Sequence, residues 1–169
     1  MDAVGIKPLI PEIGDVAPDF DLPALIGGVK RRFHLAEQRG QKHIVLAFYP
    51  FNWEPISGRQ LVEYQVERER FLSHDAALVT ICVDSIMNTT TWEREIGPFD
   101  FVLCSDFWPH GEVCSRYGVL NEQGTNAGAS RRAVFVVSKE GTIAFRRLYD
   151  ASDLPEWREP LEVLRELSP

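Results

Sequence analysis

The stretch FYPFNWEPISGRQL, Phe48 to Leu61, decides the fold. An apolar run from His43 to Tyr49 leads into it as a buried strand, a loop punctuated by Pro50 and Pro55 follows, and helical spacing sets in at about Ser57. The expected order is strand, loop, helix. Ser57 then falls in the first helical turn, where unpaired backbone N–H groups and the positive end of the helix dipole favour an anion. A nucleophile would be placed at such a position.

Downstream, Leu61, Tyr64, Arg68, Phe71 and Leu72 recur at helical spacing, with the aliphatic stem of Arg68 lying along the stripe. Ala77 to Val83 is a second buried strand, Asn88 to Glu95 a short helix closed by Gly97-Pro98, and Phe101 to Val119 a strand, a turn at Asp106 to Pro109 and a helix ending at Gly118. Ala133 to Val137 and Thr142 to Leu148 form a hairpin about Lys139-Glu140-Gly141. A last helix from about Glu159 buries Leu161, Leu164 and Leu167. Upstream, GDVAPDFDLPAL and GGVKRRFHL read as two short strands about Gly27-Gly28, preceded by an amino-terminal arm, residues 1–13. Strands that alternate with helices and end in a hairpin predict an α/β fold, a mixed central sheet flanked by helices, in one domain over residues 14–169.

At 169 residues the chain is long enough for one domain with a sizeable core. Its net charge of -7, with basic pairs scattered among acids, argues against nucleic acid as a partner. No apolar run approaches the roughly 20 residues that a bilayer span needs, so the expectation is a soluble chain with no membrane partner. The three cysteines, Cys82, Cys104 and Cys114, are widely spaced and odd in number, which fits a reducing compartment, the cytoplasm, better than a disulfide framework. The four histidines show no paired metal spacing and the cysteines make no C-x-x-C, so neither a metal nor another cofactor is expected. Ser57 lies in P-I-S-G rather than G-x-S-x-G, with no histidine implicated as its base, which makes a serine hydrolase a remote reading.

The segment from Pro50 to Ser57 resembles the active-site loop of the peroxiredoxins (the AhpC/TSA group), in which a proline, three residues, a threonine or serine and two residues precede the peroxidatic cysteine. GDVAPDF is similar to the family's opening text, and Phe101 to Val119 resembles the AhpE-like one-cysteine branch. The match runs from about Gly14 to Leu167. The resemblance implies a thioredoxin-like peroxiredoxin fold and thiol-dependent reduction of hydrogen peroxide or alkyl hydroperoxides. A peroxide substrate, a thiol reductant and a homodimer are the implied partners. Phe51, Trp53, Phe107 and Trp108 are the loop aromatics that would supply a dimer contact.

In that pattern Pro50 matches the proline, Glu54 stands where threonine is usual, and Ser57 stands where the cysteine belongs. Serine cannot replace the sulfur, because its hydroxyl stays protonated near neutral pH and it has no sulfenic counterpart. The chain as written is therefore expected to be peroxidase-inactive, and active only with cysteine at position 57. The alternative is a non-catalytic binding or regulatory module on the same scaffold. Arg132 matches the arginine that holds the thiolate and peroxide oxygens, with Arg131 its competitor. Gln60 takes the place of a glutamate that orients this arginine, and Trp92 matches an aromatic pocket wall, a core role being equally compatible. Glu54 either points inward and opposes a thiolate, or is an exposed loop acid paired with Arg132.

Overall fold

The computed structural model describes residues 9–168. Its elements are β1 (Asp21–Ile26), β2 (Val29–His34), β3 (His43–Phe48), α1 (Pro55–Leu72), β4 (Ala76–Cys82), α2 (Ile86–Ile96), β5 (Val102–Ser105), α3 (Glu112–Arg116), β6 (Arg132–Val137), β7 (Ile143–Tyr149) and α4 (Arg158–Leu167). The strands form one sheet in the order β2-β1-β5-β4-β3-β6-β7. β5, β4 and β3 are parallel, and the strands outside them pair antiparallel. The expected mixed sheet flanked by helices is thus the observed fold.

Alternation along β3 explains the layers. Ile44, Leu46 and Phe48 face a core shared with Phe20, Val113, Tyr117 and Phe135, while Val45, Ala47 and Tyr49 face the opposite core with Leu61, Tyr64, Trp92 and Leu164. The strand is buried along its whole length, as a run with no polar face must be. α1, α2 and α4 cover the second face, and α1 makes the crossover between the parallel pair β3 and β4. β2 closes one edge with Lys30, Arg31 and Arg32 exposed, a charged strand that discourages further pairing.

Two details depart from the sequence reading. α1 starts at Pro55 rather than Ser57, with the proline in its first turn, where a missing N–H costs nothing. Leu167 is 39% exposed, whereas Leu161 and Leu164 are buried. Two steps of three residues rotate a helical side chain about 120° away from the stripe, which carries Leu167 off the core face. Most of the amino-terminal arm lies outside the described residues, but its final part is pinned: the Ile10 and Pro11 carbonyls each accept from Arg146 Nη1 at 3.1 Å.

Candidate active site

The site forms at the carboxyl ends of β3 and β4, the edge where open α/β sheets place their ligands. The chain leaves β3 through Tyr49 and Pro50, both buried, and turns at Trp53, a non-glycine residue with φ 71°. Such a conformation costs about 1–3 kcal/mol and persists only where its surroundings hold it. Asn52 is the holder. Its N–H donates to Asp84 Oδ2 (2.6 Å), its amide nitrogen to Thr89 Oγ1 (2.9 Å) and Asn88 Oδ1 (3.1 Å), and its Oδ1 accepts from the Tyr49 hydroxyl (2.7 Å). Trp53 Nε1 donates to the same Asn88 oxygen at 3.1 Å. The turn delivers Glu54 to the start of α1.

Glu54 is the N-cap of α1 and points inward. One carboxylate oxygen accepts from the Ile56 N–H (2.9 Å); the other accepts from the Ser57 N–H (2.7 Å), the Ser57 hydroxyl (2.6 Å) and Arg132 Nη2 (2.9 Å). Arg132 Nη1 donates to Ser57 Oγ at 3.0 Å, and Nη2 also reaches the Ala151 carbonyl at 2.9 Å. The Ser57 and Arg132 side chains are buried, while that of Glu54 keeps 17% of its surface. Burial alone would raise the Glu54 pKa. The hydrogen bonds from Ser57, Arg132 and the two amides outweigh it and hold the carboxyl below its ordinary 4.5. Glu54 therefore combines both expected readings: inward, and paired with Arg132.

Of the two candidate arginines, Arg132 enters the site, and Arg131 is exposed at its mouth. Gln60 is buried beneath the site, where its amide donates to Tyr64 Oη at 3.1 Å. Its Oε1 and Arg132 Nε are both buried without a hydrogen-bond partner, so no bond from Gln60 orients the arginine. Trp92 belongs to the core: it packs on Tyr49 with ring centroids 5.8 Å apart and backs α1 at Gly58 rather than lining the mouth. A cleft of about 170 Å³ adjoins Arg132, lined in part by Pro50, Asn126, Ser130, Tyr149 and Ala151.

The cysteines stand apart from this chemistry. All are free and buried, Cys82 and Cys104 on opposite faces of the sheet. Burial first, and the Asp84 charge second, push the Cys82 thiol up to about 12, and burial raises Cys104 and Cys114 well above the ordinary thiol value. Among the described residues no group of three metal-ligating side chains gathers, and no helix is long and apolar enough to cross a membrane.

The profile of the AhpC/TSA family matches residues 13–146. The chain belongs to this family, the peroxiredoxins. It is 33% identical over 155 residues to alkyl hydroperoxide reductase E of Mycobacterium tuberculosis, covering 90% of this chain and 97% of that protein. It is 30% identical over 160 residues to peroxiredoxin tpx1 of Schizosaccharomyces pombe, covering 91% and 79%. Among solved structures, a reduced Plasmodium vivax 2-Cys peroxiredoxin superposes with a TM-score of 0.84 at 21% identity, over 90% of this chain and 80% of that one. The AhpC of Mycobacterium tuberculosis gives 0.81 at 24%, over 94% and 93%. The thioredoxin-like peroxiredoxin fold is therefore established, and with it an antioxidant family whose activity is peroxide reduction.

Sequence reasoning missed the hub role of Asn52, the Ala151 carbonyl and Tyr149. For Tyr149 a signal existed, because the hairpin register sets it opposite Arg132. For Glu54 as a cap the signal was Pro55, whose preference for the first helical turn marks residue 54 as the cap position.

Proposed function

We propose that this peroxiredoxin keeps the pocket of its family without the peroxidase reaction, Ser57 standing where the nucleophilic cysteine belongs and Arg132, Glu54 and Pro50 completing the site. The observation that carries this reading is the hydrogen bonding of Ser57 Oγ, which donates to Glu54 at 2.6 Å and accepts from Arg132 at 3.0 Å. A thiolate at that position would meet a carboxylate where the family has a neutral donor, and a hydroxyl offers no sulfur to oxidise. Glu54 does not convert Ser57 into a hydrolytic nucleophile either. Its lowered pKa makes it a poor proton acceptor, and nothing else within hydrogen-bond distance of Ser57 Oγ is a base.

The test is consumption of hydrogen peroxide or an alkyl hydroperoxide by the purified protein with dithiothreitol as reductant. We expect none above a buffer control. Stoichiometric, thiol-reversible turnover would overturn the reading and return the chain to the peroxidases, with peroxide and a thiol reductant as its partners. Absence of turnover would leave the notion of a non-catalytic binding or regulatory module on the peroxiredoxin scaffold as the alternative.

The protein is further read as a homodimer of a reducing compartment, the cytoplasm. Phe51, Trp53, Phe107 and Trp108 are 37–80% exposed and lie in the loops after β3 and β5. Large apolar groups on loops at one end of a sheet favour contact with a second copy. A monomeric mass by light scattering at micromolar concentration would refute the dimer.

A further inference from the structure

We infer that His43 is an acid-released latch whose imidazole, in its neutral form alone, ties the end of α4 to the turn between β6 and β7. His43 opens β3 at the end of the strand opposite the candidate site and is buried. Its Nδ1 accepts the Lys139 N–H at 3.0 Å, and its Nε2 lies 2.8 Å from Ser168 Oγ. A backbone N–H can only donate, so Nδ1 carries no proton and the single imidazole proton sits on Nε2, directed at the serine hydroxyl. Ser168 closes α4, its own N–H donating to the Leu164 carbonyl at 2.8 Å.

A second histidine makes the contrast. His74 Nδ1 donates to the Ser168 carbonyl at 2.9 Å, and because a carbonyl only accepts, that bond survives protonation of His74. His43 has no such freedom. A proton on its Nδ1 would face the Lys139 N–H, donor against donor in a buried place, so the charged ring must swing out and Ser168 loses its tie. The charged groups around His43 are Lys139 and Glu140 on the β6–β7 turn, Asp75 and His74 ahead of β4, and Lys42 beside it in the chain, while α4 presents the uncharged Ser168 hydroxyl. Burial first, and the Lys139 charge second, hold the His43 pKa below its ordinary 6.5 against the opposing pull of Glu140 and Asp75. The Lys139 ammonium keeps the Asp75 carboxyl below 3.8, and its own amide keeps Glu140 below 4.5, so both stay charged while a histidine titrates. The latched ring thus has a lower pKa than the released one, and release takes up a proton. The latch is closed above pH 6.5 and opens as pH falls through the depressed value.

The experiment is backbone amide hydrogen exchange by NMR between about pH 7.5 and about pH 4.5, with the intrinsic pH dependence of exchange divided out. In the unaltered protein, protection at the Lys139 and Ser168 amides, relative to the Leu46 amide of mid-β3, is expected to fall about tenfold or more across that range. His43→Asn keeps an acceptor near the δ position but cannot be protonated, and should show no relative fall at Lys139. His74→Gln should retain the fall. The imidazole nitrogen resonances of His43 in the unaltered protein supply a readout that needs no variant: Nδ1 should be unprotonated at neutral pH and titrate where protection at Lys139 is lost. No relative fall in the unaltered protein, the same fall in His43→Asn, loss of the fall in His74→Gln, or titration of His43 away from the midpoint would each overturn the inference.

Discussion

Ser57 follows β3 and Cys82 ends β4, and the two are set in opposite surroundings. Around Ser57 are a guanidinium and the amides of a helix start, which Glu54 caps here; both features would lower a thiol pKa. Around Cys82, whose thiol contacts Asn52 Oδ1 at 3.5 Å, burial first and the Asp84 charge second push the pKa up to about 12. The chain has the thiol in one place and the environment that would activate it in another. On the reading proposed above, what separates a peroxidase from this protein is which atom sits in the polar corner and which anion has taken the neighbouring position.

The largest effect should come from reuniting the two. Ser57→Cys places a thiol beside Arg132 and the helix start, but with the Glu54 carboxylate in contact. Two like charges about 4 Å apart repel by roughly 4 kcal/mol at an effective dielectric near 20, where one pKa unit is about 1.4 kcal/mol. Ser57→Cys alone is expected to show weak peroxide reduction. Ser57→Cys with Glu54→Thr should be clearly faster, with a thiol pKa lower by up to about three units. The measurement is the rate of sulfenic acid formation against pH for both. Equal rates and pKa values would mean that Arg132 already neutralises Glu54; no reaction in either would mean that the pocket itself has been rebuilt.

Next in size is the cost of breaking the charge pair. Arg132→Met leaves Glu54 partly buried without its cation and should cost about 3–5 kcal/mol in urea unfolding. Adding Glu54→Gln to Arg132→Met should recover part of that loss. A double variant no more stable than Arg132→Met would show that the two side chains act independently, which their 2.9 Å contact argues against.

A smaller effect follows from pH. The folded-state pKa of Glu54 lies below its ordinary 4.5, so its stabilisation is fully present above that value and is lost as pH falls through the depressed folded value. Other carboxylates titrate in the same range. The informative quantity is therefore the stability of the unaltered protein minus that of Glu54→Gln, measured at pH 7 and again near pH 3. It should shrink by about 1–3 kcal/mol at the lower pH. A difference independent of pH would place the charge of Glu54 outside the energetics of the site.

The same contrast shows what was legible in the sequence. β3, β4 and β6 were readable because burial on both faces demands largely apolar runs, and the hairpin because Lys139-Glu140-Gly141 separates β6 from the half-exposed β7. Ser57 and Arg132 were found because short text around each is distinctive, and their meeting across 75 residues is what the fold supplies. Glu54 was half legible. Its departure from the usual threonine was plain, but whether a carboxylate turns in or out depends on the φ of Trp53 and the hub at Asn52, neither of which periodicity encodes. Gln60 was legible as a position on the site side of α1, but a helix position does not fix where the amide points: its Nε2 donates to Tyr64 Oη one turn on, while its Oε1 and Arg132 Nε make no bond.

The smallest predicted effect tests the other half of the comparison. Cys82 is fully buried, its Sγ contacts Asn52 Oδ1 at 3.5 Å, and Tyr49 already supplies that oxygen with a stronger donor at 2.7 Å. Cys82→Ala therefore removes one weak donor and a sulfur's volume, and should cost only about 1 kcal/mol, with peroxide behaviour unchanged. Because a thiol with a pKa near 12 carries almost no thiolate at neutral pH, the native protein should also resist iodoacetamide at pH 8 and react at all three cysteines once unfolded in urea. Rapid alkylation of Cys82 in the folded state would mean that the end of β4 opens to solvent. If the unaltered protein then consumed peroxide and Cys82→Ala did not, the opposition of the two surroundings would collapse, and Cys82, with the Asn52 hub as its gate, would be the reactive residue in place of position 57.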